Sequence, residues 1–393
     1  MTRHLVVVGY GMTGHHLVAE TRARDGAGEW RITVLGEEDR PAYDRIALTT
    51  CATGRDPDEL ALPAPEPGAA TLRLATTATH LDPAARTVTT ATGEAIRYDA
   101  LVLATGSRPF VPPVPGHDAP TCHVFRTVDD VRAIRAAARP GRPAVVVGGG
   151  LLGLEAAAAL RDLGMRVHVV ERAPWLMALQ VDEGGGAALA RQITALGVEV
   201  RCGASLLSVD PAGVDLDSGR IPADLVVFAA GVRPRDELAA AAGLARAERG
   251  GILTDLHCRT SAPGIWAVGE CAAVEGRCYG MVAPGQRMAE AVAAQLTGDP
   301  EAAFPGGDLS ARLKVLGVEV AGFGDVHARE PGAVEFSRHC HTTGSYAKLT
   351  LDPESETLLG AVLSGDTRPY ARLRALHNTP LPASADRLLL PST

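Results

Sequence analysis

The chain has 393 residues, enough for two or three domains, each with its own core. A formal net charge of −8 argues against a nucleic-acid partner, because no basic excess exists to neutralise phosphates. No apolar run approaches the length of a bilayer span, and the first strand begins too near Met1 for a signal peptide, so a cytoplasmic protein with no membrane partner is expected.

The predicted elements alternate along the chain. Short apolar runs ending in glycine or an acid recur: HLVVVG, RITVLG, ALVLATG, PAVVVGG, RVHVVE, DLVVFAAG and IWAVGE. They have the length of buried parallel strands, and helical patterns lie between several of them, as at 153–163 and 184–196. This alternation predicts an α/β fold with open, doubly wound sheets. A Pro-rich, acidic segment at 55–70 reads as a surface excursion, and a second Pro-rich stretch after 106 as a linker out of the first domain. After about residue 305 the pattern changes. RLKVLGVEVAGFGD and YAKLTLDPESETLLGAVLSGD read as strands, the latter a hairpin turning at 352–356. RPYARLRAL reads as a helix, giving a small α+β C-terminal domain, and PASADRLLLPST as a surface tail.

Two glycine fingerprints stand in this frame. LVVVGYGMTGHHL (5–17) carries Gly9, Gly11 and Gly14, and VVVGGGLLGLEAA (145–157) carries Gly148, Gly150 and Gly153. In each, the first glycine permits a tight turn, the second lets backbone approach a pyrophosphate, and the third lets helix pack close to strand. The helix N-terminus then faces the phosphate charge. An acid after the second strand binds a ribose hydroxyl: Glu37, with Glu38 beside it, in the first case and Glu171 in the second. A carboxylate at Glu171 accepts from a free 2′-hydroxyl and repels a 2′-phosphate, favouring NADH over NADPH, whereas the neighbouring Arg172 pulls the other way. Two fingerprints fit two nicotinamide sites, or one flavin and one nicotinamide.

The seven cysteines are odd in number and scattered, with no CxxC pair, so neither a disulfide framework nor a zinc or iron–sulfur site is expected. RHCHTTG, with His339, Cys340 and His341, has no further ligand run nearby and reads as a polar loop, since strand neighbours point to opposite faces.

LVLATGSRP (101–109) and GIWAVGECAA (264–273) decide between the two cofactor readings. Here the chain resembles the pyridine nucleotide–disulfide oxidoreductase superfamily of two-dinucleotide flavoproteins, in which ATGSRP and the GE/GD strand are later flavin motifs. GEEDRPAYDRIALT, LATGSRPFVPPVPGHD, LMALQVDEGGG, FAAGVRPRDELA, VGECA, YGMVAPG, LKVLGVEVAGFGD and LLGAVLSGDT narrow the resemblance to the N-terminal FAD/NADH module of assimilatory nitrite reductase large subunits, over about residues 4–390. Those subunits continue into iron–sulfur and siroheme regions, and this chain resembles the electron-input module alone.

The resemblance implies two Rossmann-like dinucleotide-binding domains, the NAD(P)H domain (116–241) inserted into the FAD domain (1–115 and 242–305), followed by the α+β domain (306–393). It assigns Met12, Thr13, Ala78, Ala104, Thr105, Gly106, Arg45 and Arg108 to FAD beside the first fingerprint, with Glu270 on the ribityl chain. Pro284 and Gly285 are expected to open a helix whose N-terminus, with backbone near Val282, stabilises negative charge on the reduced flavin. Leu151, Leu152 and Gly231 fall to NADH. Glu155 matches a glutamate near the flavin–nicotinamide junction, often paired with a lysine, but the lysine position reads Thr49-Thr50, so Glu155 and Thr49 stand as the catalytic candidates. Cys51 is the one cysteine near the expected flavin face, and a small structural residue is its expected role.

The reading is therefore an FAD-dependent NADH oxidoreductase that feeds a separate acceptor, a redox protein or a small molecule. The alternatives are direct reduction of a disulfide, peroxide, quinone or nitrogen oxide, and a redox-sensing flavoprotein. No motif marks the acceptor surface, and a homodimer is compatible with the sequence.

Overall fold

The computed structural model describes residues 2–66, 68–308, 310–354, 356–382 and 384–389. The chain divides into two compact units, Met1–Ala47 with Asp56–Arg108 and Val232–Asp308, and Leu48–Arg55 with Pro109–Gly231 and Leu309–Thr393.

In the first unit the valine-rich strand Arg3–Val8 sits at the centre of a five-stranded parallel sheet, flanked by Trp30–Leu35 and Ala100–Leu103, with Thr71–Arg73 and Ile265–Ala267 at the edges. Leu5, Val6 and Val7 are fully buried, which is why the run carries no polar alternation. The helices Met12–Arg24 and Val282–Leu296 pack together, and the Trp30 indole donates to the Leu296 carbonyl at 2.9 Å. A three-stranded antiparallel meander, Ala78–Asp82, Thr87–Thr90 and Ala95–Arg97, interrupts the alternation.

The second unit repeats this plan. Pro143–Val147 is the central strand of a five-stranded parallel sheet, between Arg166–Glu171 and Leu225–Phe228, with Glu199–Cys202 and Cys122–Val124 outside them. Its meander, Leu206–Asp210, Gly213–Leu216 and Gly219–Pro222, falls at the same point of the chain order.

The same unit holds a five-stranded antiparallel sheet, ordered Ala311–Val315, Val318–Gly324, Leu358–Ser364, Ser345–Leu351, Val334–Cys340. Phe323, Leu349, Leu363 and Leu373 form its core. The helix Glu183–Ala195 approaches this sheet through glycines: a Cβ on Gly184 would lie 2.5 Å from the Tyr346 ring, and one on Gly185 2.6 Å from Val362. Asp182 caps that helix by accepting from the Gly185 amide at 3.1 Å, and also takes the Tyr346 hydroxyl at 2.6 Å and Lys348 Nζ at 3.2 Å. Lys348 is only 3% exposed and is further held by Glu335 and the Val326 carbonyl.

Several boundaries differ from expectation. Residues 232–241 group with the first unit, because Val232–Pro234 returns to pair with Ser107–Pro109. The short helix Leu48–Ala52 joins the second unit through its packing on Val128–Ala137 and Leu151–Asp162. His339 and Cys340 end a strand rather than sitting in a loop, and the hairpin after Leu351 turns as expected through Asp352 and Glu356, with Ser355 outside the described residues. The tail is not a plain surface extension: Leu388 and Leu389 are buried in the C-terminal core, while Ala383 and residues 390–393 lie outside the described residues.

Candidate functional site

The two glycine turns are built alike. Gly9 has φ +109°, and a Cβ there would lie 2.1 Å from the Ala104 carbonyl oxygen. Gly148 has φ +120°, and its Cβ would lie 2.3 Å from the Ala229 carbonyl oxygen. A Cβ on Gly14 would stand 2.3 Å from the Gly9 oxygen, and one on Gly153 1.9 Å from the Gly148 oxygen. Backbone occupies the space at all four positions and cannot yield to a side chain.

Gly11 and Gly150 are different. Their φ values of −85° and −81° suit any residue, and a Cβ on either would meet nothing within 4 Å. Nothing inside the protein requires glycine there; the missing side chain keeps a cradle open at each helix start. Met12–Arg24 and Leu151–Asp162 begin directly after these glycines, without a side-chain cap or an acid in the first turn. Their first amides, at Met12, Thr13, Leu151 and Leu152, and the positive end of each helix dipole therefore face the cradle, as an anionic pyrophosphate requires.

The other strand beside each central strand completes the turn. Ala104-Thr105-Gly106 follows Ala100–Leu103, and Ala229-Ala230-Gly231 follows Leu225–Phe228. Gly106 and Gly231 have φ of +69° and +105°, both with open space where a Cβ would be. Thr105 Oγ1 donates to the Arg235 carbonyl at 2.6 Å. Ala229 was missed by sequence reasoning, although FAAG repeats the LATG signal.

The second strands end differently. Val8 pairs with Leu35 and Val147 with Val170, so Glu171 shares its register with Gly36, and Arg172 with Glu37. The Glu171 carboxylate accepts from the Gly149 amide and the Ala173 amide, each at 2.6 Å, which fixes it at the strand end. Arg172 is exposed. In the first unit Glu37 pairs with Arg235, while Glu38 pairs with Arg45 and takes the Tyr43 hydroxyl at 2.8 Å. Arg45 and Glu38, expected as separate flavin contacts, are thus one ion pair, stacked on Tyr43 with the guanidinium 4.9 Å from the ring centre. Arg108, expected to contact FAD, is half-exposed and forms an ion pair with Glu237.

Glu270 lies in a short turn after Gly269, which has φ +79°, and its carboxylate accepts from Ser107 Oγ at 2.8 Å. A Cβ on Gly269 would lie 3.0 Å, and one on Gly285 2.7 Å, from Thr13 Oγ1, so these glycines admit the Thr13 side chain. The late helix begins at Val282, two residues before the expected Pro284, whose missing N–H costs nothing in a first turn. It has neither a side-chain cap nor an acid in that turn. Ala78 opens the meander, half-buried against the sheet core.

Glu155 lies on the second glycine helix, and burial pushes its carboxyl up to about 7. It makes no ion pair or hydrogen bond among the described residues. Thr49 sits on Leu48–Ala52, which packs on that helix, and its hydroxyl is buried without a hydrogen-bond partner. Cys51 is buried on the same short helix. Burial also pushes the thiols of Cys202 and Cys258 up, to about 11 and about 12. Among the described residues no cluster of His, Cys, Asp and Glu is arranged for a metal ion, and no helix is long and apolar enough to cross a membrane.

Duplicated parallel sheets, each with an open glycine cradle at a helix N-terminus, define a two-dinucleotide oxidoreductase. The chain belongs to the pyridine nucleotide-disulphide oxidoreductase family, whose profile matches residues 3–298, and residues 310–378 match the rubredoxin NAD+ reductase C-terminal domain. Family membership implies binding of FAD and NAD(P)H. The chain is 44% identical to the nitrite reductase [NAD(P)H] large subunit of Klebsiella oxytoca, over 99% of this chain and 42% of that protein. It is 34% identical to the assimilatory nitrate reductase electron transfer subunit of Bacillus subtilis, over 94% of this chain and 48% of that protein. The chain thus spans less than half the length of either relative. The ferredoxin reductase of the CYP199A2 system from Rhodopseudomonas palustris superposes with a TM-score of 0.84 at 28% identity, covering 95% of this chain and 94% of that one.

Proposed function

We propose that this chain takes a hydride from NADH onto FAD and passes the electrons to a separate redox protein. The observation that carries the reading is the repeated cradle, closed by backbone around Gly9, Gly14, Gly148 and Gly153 and open at the helix starts beside Gly11 and Gly150. Two such cradles suit two dinucleotides with different roles. When bound, FAD supplies an acceptor for a hydride and a donor of electrons to the partner.

The chain's own residues bind and orient. The amides after Gly11 hold the FAD pyrophosphate, Glu37 and Glu38 serve its ribose, and Glu270, steadied by Ser107, serves the ribityl chain. The uncapped start of Val282–Leu296 offers a positive dipole end to negative charge on the reduced ring. The amides after Gly150 hold the NADH pyrophosphate, and Glu171, fixed by two backbone amides, accepts the 2′-hydroxyl and repels a 2′-phosphate. Glu155, whose carboxyl burial pushes up to about 7, and the unpartnered Thr49 hydroxyl on the helix packed against it are the candidates to serve the nicotinamide end. The electron transfer subunit relative and the ferredoxin reductase likeness support a separate redox protein as the acceptor; the resemblance to nitrite reductase large subunits favours one of the iron–sulfur or siroheme class.

Anaerobic mixing of the FAD-loaded protein with NADH, then with a small iron–sulfur protein, tests this. The flavin band should bleach and then recover as the acceptor is reduced. A flavin that bleaches but never passes electrons to any redox protein would overturn the acceptor assignment.

A further inference from the structure

The first unit carries an open hollow of about 680 Å³ that no residue of the dinucleotide sites lines. It lies where Arg3–Val8 and Trp30–Leu35 begin, at the opposite ends of those strands from the Gly9 turn, and the meander walls its other side. Arg31, Arg73, Arg86 and Arg97 contribute guanidinium groups to the lining, and Glu94 and Asp99 are its carboxylates.

The carboxylates are already used. Glu94 is matched to Arg73 by two hydrogen bonds of 2.8 and 2.6 Å, and Asp99 accepts from the His4 amide at 2.7 Å. Arg31 donates to His4 Nδ1 at 3.0 Å, which leaves His4 Nε2 to Thr33 Oγ1 at 2.8 Å and requires a neutral ring. The side chains of Arg86 and Arg97 make no ion pair or hydrogen bond among the described residues. An excess of guanidinium thus gathers in one hollow of a chain whose net charge is −8.

A second observation is independent of charge. Tyr98 lines the hollow, is only 4% exposed, and its hydroxyl is buried without a hydrogen-bond partner. Buried polar groups are normally satisfied, and an orphan donor at a basic hollow suits an oxyanion.

We propose that this hollow is a third binding site and takes a phosphate-bearing anion. Unpaired guanidinium forks match phosphate oxygens in paired, charge-assisted hydrogen bonds, and the volume falls in the range of small-molecule sites, about 300–1,000 Å³. The shared chemistry is a phosphate dianion, free or as the ester of a small sugar.

Calorimetric titration of the FAD-loaded protein, with NAD+ saturating the second cradle, tests the site. Inorganic phosphate and ribose 5-phosphate are the two probes, and the tighter one identifies the source. Arg86→Gln with Arg97→Gln should weaken binding of the tighter probe by about tenfold or more, while the rate of flavin bleaching by NADH in phosphate-free buffer stays unchanged. Both arginines are exposed, so this variant should fold normally. Tyr98→Phe should weaken the same binding and leave stability without phosphate equal or higher, because it removes an unsatisfied hydroxyl. No heat from either probe, or the same affinity in wild type and the double variant, would overturn the site.

Discussion

Glu155 combines burial, the absence of a partner and a place directly after a dinucleotide cradle. Burial raises its folded pKa from the ordinary 4.5 to about 7. Between those values the folded chain keeps a proton that the unfolded chain has lost, so stability falls as pH rises through the window, with the full loss present above about pH 7. Glu155→Gln should therefore flatten the stability profile across that window and gain about 3 kcal/mol above it, read by denaturant unfolding at several pH values. An unchanged slope would show that the carboxyl is solvated. At Glu171 the expectation is selectivity. Glu171→Ala removes a carboxylate held by two backbone amides, and should shrink the NADH-over-NADPH ratio in kcat/KM by about tenfold or more. A ratio that does not move would shift the discrimination to Arg172 or elsewhere.

Among elements, the glycine helices separate structural glycines from functional ones. Gly150→Ala has an ordinary φ and open space, so the melting temperature should hold while KM for NADH rises by about tenfold or more. Gly153→Ala puts a methyl group 1.9 Å from a carbonyl oxygen and should destabilise the second unit by about 2–4 kcal/mol. Equal melting losses in the two variants would contradict the division. The C-terminal sheet supplies another test. Lys348→Ala leaves Asp182, at the cap of Glu183–Ala195, without its buried cation and should cost about 3 kcal/mol, against about 0.5 kcal/mol or less for the exposed Lys314→Ala. These elements also show what was legible in the sequence. Valine runs followed by glycines announced the central strands and both cradles, because local sterics alone dictates them. The pairs Arg235–Glu37 and Arg108–Glu237 join residues far apart in the chain, and only the tertiary fold brings them together. The offset between Glu37 and Glu171 likewise needs the strand register, which fingerprint spacing does not contain. The burial of Leu388 and Leu389 was hidden because their few apolar positions lack a readable period.

For the whole molecule, the duplication matters because the two halves are alike where a pyrophosphate lies and unlike where selectivity is set. Gly11 and Gly150 open equivalent cradles, whereas Gly36 and Glu171 share a register with opposite chemistry. That division supports one dinucleotide as resident flavin and the other as exchangeable hydride donor. Stopped-flow mixing under anaerobic conditions, with FAD-loaded wild type and Gly150→Ala against NADH and NADPH, tests it most directly. The wild-type flavin band should bleach rapidly, faster with NADH than with NADPH. The Gly150→Ala protein should stay yellow and bleach at least about tenfold more slowly at the same NADH concentration. A wild-type flavin that neither nucleotide bleaches, or a Gly150→Ala protein that bleaches as fast as wild type, would contradict it.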